Sequence, residues 1–345
     1  MAPALFPPGI ARQRGVTLTE LMIALVLSAL VVLAATAMVV TSRGTYRSQD
    51  EGTRLAESAR FGLELSNRMV RLAGYTNFGD DPFTPAAYTP DPTWVLSPDS
   101  YALNGPNIVG SNNSKPGGGS GLNNSDSLTI RYFGASTPAG TADGNILDCA
   151  GFSVPQPINP AVGEDAAPLY RNSRAYNVLF VDADVDGEPA LKCRRQTYDA
   201  AGVPSGTGGD TQTLIRGVES FQVLYGEALY PNVPPNDPDL VPPINLVYRT
   251  GIGGVNPVVN WNNVITVRIA MLLRSAPGAR PDVEDPAKVY HLFGDAYAAV
   301  SSDADFRLSA LSTSERTRVR RVVETTVFVR NRLASWPSLD EINLN

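Results

Sequence analysis

Twenty consecutive residues, Leu21 to Val40, carry no charge, and only Ser28 and Thr36 among them are polar. At about 1.5 Å rise per residue, a helix of that length spans roughly 30 Å, one hydrocarbon core. Beyond it the pattern changes to a stripe: Leu55, Ala59, Gly62, Leu65, Met69 and Leu72 recur at spacings of three or four. Glu57, Arg60, Glu64, Arg68 and Arg71 fall mostly off that stripe, and the Glu57/Arg60 and Glu64/Arg68 pairs add modest helical support. No proline lies between Pro8 and Pro82. The pattern predicts one helix from about Thr17 to Ala73. Gly44 and Gly52 weaken its middle, and Gly74 is placed to end it. The stripe should pack on a globular domain while the upstream half stays free.

From Tyr75 onward, turn formers punctuate short β-rich runs. Leu128–Phe133, Tyr176–Asp182, Leu191–Thr197, Leu214–Tyr225, Val264–Arg274 and Val319–Arg332 read as strands. Apolar residues alternate through Val267–Leu273. They alternate again at Val319, Val323, Val327 and Val329, with Arg320, Glu324 and Arg330 assigned to the opposite, solvated face. No strand–helix–strand alternation appears, which argues against a parallel doubly wound sheet. The expected fold class is α+β, a long N-terminal helix packed on a C-terminal antiparallel β-sheet domain. Asn104–Asp126 and Pro231–Pro243 are low in apolar residues and read as exposed loops.

Composition narrows the chemistry. The 345-residue chain has a formal net charge of −6, which disfavours direct nucleic-acid binding. His291 is the sole histidine and sits in the strand-like run Val289–Phe293, where a structural role fits better than a catalytic base. The sequence holds no Gly-x-Ser-x-Gly elbow, HExxH or Walker loop, so no enzyme and no cofactor is expected. Asp182-Ala183-Asp184-Val185-Asp186-Gly187 matches the opening of a calcium loop, but its twelfth position is Cys193 instead of a bidentate glutamate. A hairpin tip with Asp186-Gly187 as the turn pair accounts for it, leaving Asp182, Asp184 and Asp186 as an incomplete calcium candidate. Cys149 and Cys193 are the two cysteines. In an exported domain they would form a disulfide; in a cytosolic one they would be two buried thiols.

Glu20 stands at the edge of the apolar run. A charge inside a membrane segment costs roughly 2.5–3.5 kcal/mol on insertion scales. An ordinary secretory signal, cleaved near Ala35-Thr36-Ala37, or a plain single-pass anchor leaves it without a purpose. The stretch Gly15-Val16-Thr17-Leu18-Thr19-Glu20-Leu21-Met22 resembles the class III signal of type IV prepilins. That resemblance implies cleavage between Gly15 and Val16 by the prepilin peptidase, followed by methylation of the new Val16 amine. It also gives Glu20 a role: its carboxylate pairs with such an amine, on itself or a neighbour, and sets the register between packed helices. The family usually has phenylalanine at the first mature position and often an aliphatic residue in place of Thr19.

A second resemblance, to PilW-type minor pilins, runs in order from residue 12 to residue 332. It is carried by Arg54–Phe61 with Arg71–Tyr75, Asp126–Tyr132, Leu214–Gly226, Trp261–Ile269 and Arg320–Asn331. The two resemblances imply a leader at residues 1–15, a membrane-spanning half-helix at 16–42, an amphipathic half at 43–75 and a β-rich domain at 76–345. The leader would stay cytoplasmic and the β-rich domain would be periplasmic, then extracellular in the pilus. Implied partners are other minor pilins and the major pilin through the N-terminal helix, the prepilin peptidase, the inner membrane and, at the tip, an adhesin. The implied function is pilus assembly, priming and tip formation. The alternatives are a minor pseudopilin of type II secretion, and a membrane-anchored or secreted enzyme or binding module with a similar leader.

Overall fold

The structure is a computed structural model that describes residues 15–75, 106–135, 143–154, 175–198, 204–229, 245–280, 282–299 and 301–331. Leader residues 1–14, with Arg12 and Arg14, and the Pro231–Pro243 stretch lie outside the described residues. The chain divides into two compact units, Met1–Asp50 and Glu51–Asn345. The helix α1 (Leu18–Leu72) belongs to both and continues through Gly44 and Gly52.

In the first unit, residues 15–43 are exposed throughout. The best 18-residue window there has a mean hydropathy of 2.8 with none of it buried, so the segment is long and apolar enough to cross a membrane. Its hydroxyls are satisfied within the helix: Ser28 Oγ donates to the Leu25 carbonyl at 2.9 Å and Thr36 Oγ1 to the Leu33 carbonyl at 2.8 Å. Neither leaves an unpaired donor to face lipid.

In the second unit, the same helix buries Leu55, Ala59, Gly62, Leu65 and Met69 of the expected stripe, adds Ser66 and Val70, and leaves Leu72 only partly buried. Each large apolar side chain so buried contributes about 1.5–3 kcal/mol. Gly62 is where the helix comes closest to the strands: a Cβ there would lie 2.9 Å from Ile215 Cδ1 and 3.2 Å from Met271 Cε. The helix ends where expected. Gly74 has φ 72° and donates its N–H to the Arg131 carbonyl at 2.8 Å, which ties the helix end to a strand.

The strands are β1 (Ile108–Ser111), β2 (Ser127–Tyr132), β3 (Ala175–Ala183), β4 (Pro189–Tyr198), β5 (Pro204–Arg216), β6 (Val218–Leu229), β7 (Asn245–Arg249), β8 (Val264–Arg274), β9 (Val289–His291), β10 (Asp305–Arg307) and β11 (Arg320–Phe328). They form two antiparallel sheets, ordered β1-β2-β3-β4-β5 and β11-β8-β6-β7, and a β9–β10 ribbon. A short helix, α2 (Asp295–Ala298), lies between the ribbon strands in sequence. Ile130, Leu179, Leu191 and Ile215 of the first sheet meet Phe221, Val223, Ile269 and Met271 of the second in one core with the α1 stripe. The α+β architecture therefore matches the expectation.

Four sequence expectations need correction. The run Leu214–Tyr225 is not one strand: it breaks at Gly217 and its halves enter different sheets. Gly217 has φ 81°, donates to the Pro189 carbonyl at 2.7 Å and accepts from Arg274 N–H at 2.7 Å, so it links the two sheets. A Cβ there would sit 2.6 Å from the Arg274 carbonyl oxygen. Gly217→Ala is expected to lose roughly 2–3 kcal/mol, read as a lower urea midpoint for the detergent-solubilised chain with an unchanged slope. An unchanged midpoint would show that the crossing does not need glycine.

Second, the loop expected at Asn104–Asp126 contains β1, which is buried, and a single 3-10 turn at Leu122–Asn124. Few apolar residues mark it because its neighbours Asn113, Asn123 and Asn124 adopt positive φ and shape tight turns instead. Third, the second sheet does not keep one solvated face. Leu224, Ala270 and Leu272 on its far side are covered by Leu292, Phe293, Phe306 and Leu308 of the β9–β10 region, a second small core. Fourth, Arg320 is buried, not solvated. Strands β7 and β10 also lie outside the sequence expectations.

Candidate functional site

The N-terminal residues Gly15, Val16 and Thr17 precede α1, and all are exposed. Thr17 is the N-cap and Glu20 the third helical residue. The Thr17 N–H donates to Glu20 Oε2 at 2.9 Å, the Thr17 hydroxyl donates to the same oxygen at 3.0 Å, and the Glu20 N–H donates to Thr17 Oγ1 at 3.3 Å. This is a capping box, and its signal in the sequence is the Thr-x-x-Glu spacing of Thr17 and Glu20. Glu20 thus has a local task as well as any intermolecular one. It satisfies orphan donors of the helix start and places a negative charge at the positive end of the helix dipole. Both Thr17 donors go to Oε2, so Oε1 can face a second cation. Removing residues 1–15 would leave the box intact, because each of its groups lies at Thr17 or beyond.

Cys149 and Cys193 form a disulfide with Cα atoms 6.0 Å apart. It fixes a small loop to the centre of β4, and other bonds hold the same loop from three sides. The Cys149 N–H donates to Asn177 Oδ1 at 3.0 Å, Tyr132 Oη donates to the Leu147 carbonyl at 2.9 Å, and Arg68 of α1 donates to the Asp148 carbonyl at 3.2 Å. The Arg195 guanidinium pairs with Asp148 at 3.3 Å and stacks 3.8 Å from the Phe152 ring centre.

Asp182, Asp184 and Asp186 lie at the β3–β4 hairpin end, where Gly187, at φ 83°, donates to the Asp184 carbonyl at 2.9 Å. Each carboxylate is matched to a protein cation. Lys115 Nζ is 3.1 Å from Asp182, and Arg216 pairs with Asp184 at 3.6 Å and also with Asp186. The Glu188 N–H and Arg216 together hold the Asp186 carboxyl below the ordinary aspartate value despite some desolvation. No group of three candidate metal ligands gathers among the described residues. The calcium-loop spacing lies on a hairpin turn braced by two cations, Lys115 and Arg216. His291, in β9, meets Asp305 of β10 with Nδ1 and Oδ1 2.6 Å apart, a ribbon contact.

The most extensive polar constellation escaped the sequence reading. Glu219 at the start of β6 is 1% exposed and is held by Arg320 through Nε at 2.6 Å and Nη2 at 3.0 Å, with Arg274 adding a third bond at 3.0 Å. Arg274 continues to Glu188 at 2.8 Å and Glu315 at 2.5 Å. Arg318 joins those two acids at 2.8 and 3.2 Å. Burial would raise the Glu188 carboxyl, but hydrogen bonds from Arg274 and Arg318 outweigh it and hold the group below its ordinary value. The network ties the β3–β4 turn, β6, β8 and the segment before β11 into one unit. Its members are scattered over more than 130 residues, so no spacing rule reveals them.

Comparison with known proteins agrees with the two sequence resemblances. Residues 178–331, from β3 to just past β11, match the model of the family described as type IV pilus-assembly protein W. Residues 10–36 match the prokaryotic N-terminal methylation motif. No curated protein matches the chain. A type IV-like pilin from Thermus thermophilus aligns at 11% identity over 81% of this chain and 98% of that one, with a TM-score of 0.37. The chain is thus similar to type IV pilins over its leader and apolar helix, through the methylation motif, and to the PilW family across its later strands.

Proposed function

We propose that this chain is a PilW-type minor pilin, a structural subunit and not an enzyme, that takes part in type IV pilus assembly, priming and the tip complex. In this reading the peptidase cuts between Gly15 and Val16 and the Val16 amine is methylated. Residues 16–42 then hold the chain in the inner membrane, with the leader in the cytoplasm and residues 76–345 in the periplasm. During assembly the same half-helix packs among other minor pilins and the major pilin, and Glu20 pairs with a terminal amine. An adhesin at the tip is a further partner, and the filament carries the domain outside the cell.

The observation that carries this reading is the division of α1. Its first part is an uncharged, uncovered run that begins with a capped carboxylate, and its second part is a stripe already spent on the domain's own core. A helix built to remain within one folded chain would bury both. The experiment is intact-mass measurement of the membrane-extracted protein together with sequencing of its N-terminus. The expected product starts at N-methylated Val16. A start at any other residue, or an unmethylated one, overturns the proposal.

A further inference from the structure

Among the described residues, β11 ends the second sheet and no strand pairs with its outer edge. Outside the paired strands, the Val319 carbonyl accepts from Ser275 N–H at 2.9 Å and Val329 N–H donates to the Ile265 carbonyl at 2.9 Å. Between those two bonds the register runs without a shift from Arg320 opposite Arg274 to Phe328 opposite Thr266. Antiparallel pairing alternates, so the odd-numbered residues exchange bonds with β8. The N–H and C=O groups of Arg320, Val322, Glu324, Thr326 and Phe328 therefore point away from the sheet. Among the described residues no hydrogen bond reaches them.

Proteins ordinarily guard such an edge with proline, a bulge or a cover. The edge of β1 is covered, because Ile252 donates to the Gly110 carbonyl and accepts from Asn112 N–H, both at 2.8 Å. Strand β11 has nine residues, no proline and no bulge. Glu324, Thr326 and Phe328 are exposed, Phe328 by 68%.

A second feature lies at the same place. Past the end of β11 a cavity of about 360 Å³ is lined by Glu64, Arg68, Arg71, Tyr75, Arg330 and Asn331 among others. Three guanidinium groups there face one carboxylate. Arg68 gives one bond to the Asp148 carbonyl, and Arg68, Arg71 and Arg330 are all exposed. Their positive balance, between the end of α1 and the residues that follow β11, suits a carboxylate of an extended peptide.

We infer that a segment of a second, different polypeptide adds to β11 as an edge strand and places a carboxylate, from an acidic side chain or its chain end, between Arg71 and Arg330. This rests on the reading of the chain as an assembly subunit and names one of its contact surfaces.

The test uses the full-length chain in its native membranes with benzoylphenylalanine in place of Phe328, and the same group at Val283 as a control. Illumination is expected to give one adduct at position 328 with a different protein. Mass spectrometry of the joined peptide should find alternating apolar residues near an aspartate, a glutamate or a C-terminus, and it distinguishes those sources. Thr326→Pro removes an outward N–H without touching a β8 bond and is tolerated at an edge. It should lower the adduct about tenfold while the melting temperature holds. Arg71→Glu with Arg330→Glu should lower it by a similar factor. An adduct with a second copy of this chain, equal labelling at Val283, indifference to Thr326→Pro, or no adduct overturns the inference. Since Thr326→Pro leaves Gly15, Val16 and Glu20 untouched, a filament that still depends on Glu20 while β11 gives no such adduct refutes the strand alone and spares the assembly reading.

Discussion

Glu20→Ala is expected to be cleaved and methylated normally yet to enter filaments at a tenth of the native level or less, and Glu20→Gln is expected to fare little better. The two variants separate two tasks of one side chain. Alanine removes both the capping bond to the Thr17 N–H and the charge. Glutamine keeps the capping geometry, since Gln serves at the third helical position as Glu does, and removes only the charge. Loss of the cap by itself costs about 1 kcal/mol of local helix stability, too little to empty a filament of a subunit.

The charge is different. The α-amine created at Val16 has an ordinary pKa near 7.7–8.0 and is mostly protonated at neutral pH. An unpaired ammonium buried among apolar helices costs several kcal/mol, and a carboxylate supplied by a neighbour offsets that cost only in one axial register. Uncharged Glu20 variants lose the register and the offset together. Thr17→Ala supplies the reverse control, because it removes the hydroxyl bond to Oε2 and keeps the charge; it should assemble nearly as well as the native chain. The comparison is made by blotting sheared filaments against the membrane fraction, with intact mass to show processing. Native incorporation of Glu20→Gln would falsify the pairing role and leave capping as the whole function of this residue.

Much of this architecture could be read from spacing. The expected helix, Thr17 to Ala73, differs by one residue at each end from Leu18–Leu72, because a stripe of period 3.6 and an unbroken absence of proline are strong local signals. Strand β8 has the expected bounds, since Val264–Arg274 opens on β-branched residues and keeps apolar residues in alternation through Val267–Leu273. The failures have a common physical source: long-range contact. Strand β1 is four residues of modest hydrophobicity that become a buried strand only because β2 and Ile252 pair with them. The apparent strand across Gly217 is locally sound, and only the Arg274 carbonyl, 57 residues away, makes its glycine necessary. Arg320 sits on the polar side of an alternating strand, which usually means water, yet here the opposite partner is Glu219 and the site is dry. The candidate site divides in the same way. Gly15, Val16 and Glu20 lie in one short stretch of local sequence, inside the residues that match the methylation motif, and the Cys149–Cys193 disulfide is the pairing expected of an exported domain, whereas the surface offered by β11 depends on which strand ends the sheet.

The second large effect is predicted inside the domain. Glu219→Ala is expected to destabilise the protein by about 3–5 kcal/mol, while Glu324→Ala should cost less than about 1 kcal/mol, although both remove the carboxylate of an arginine pair. The difference is solvent. Glu219 and Arg320 have side-chain exposures of 1% and 0%, and the Arg320 guanidinium spends two bonds on that one carboxylate. Removing it leaves Arg320 to find what it can from Glu284, whose nearest oxygen is 3.6 Å away, and from the Glu315 carbonyl. Arg274 loses one acid but keeps Glu188 and Glu315. Glu324, by contrast, is 46% exposed at its side chain, and water replaces it beside Arg268. A paired variant tests the cause. If the penalty is an orphaned buried charge, then Glu219→Leu combined with Arg320→Met should recover much of what either change loses alone, a coupling of roughly 2 kcal/mol or more. Urea unfolding of the detergent-solubilised chain measures all five variants, the two alanine changes, Glu219→Leu, Arg320→Met and their combination. Strict additivity of the two single losses would mean that the cost lies in packing volume instead of charge, and that the network does not hold the β3–β4 turn, β6, β8 and the approach to β11 together by its pairing.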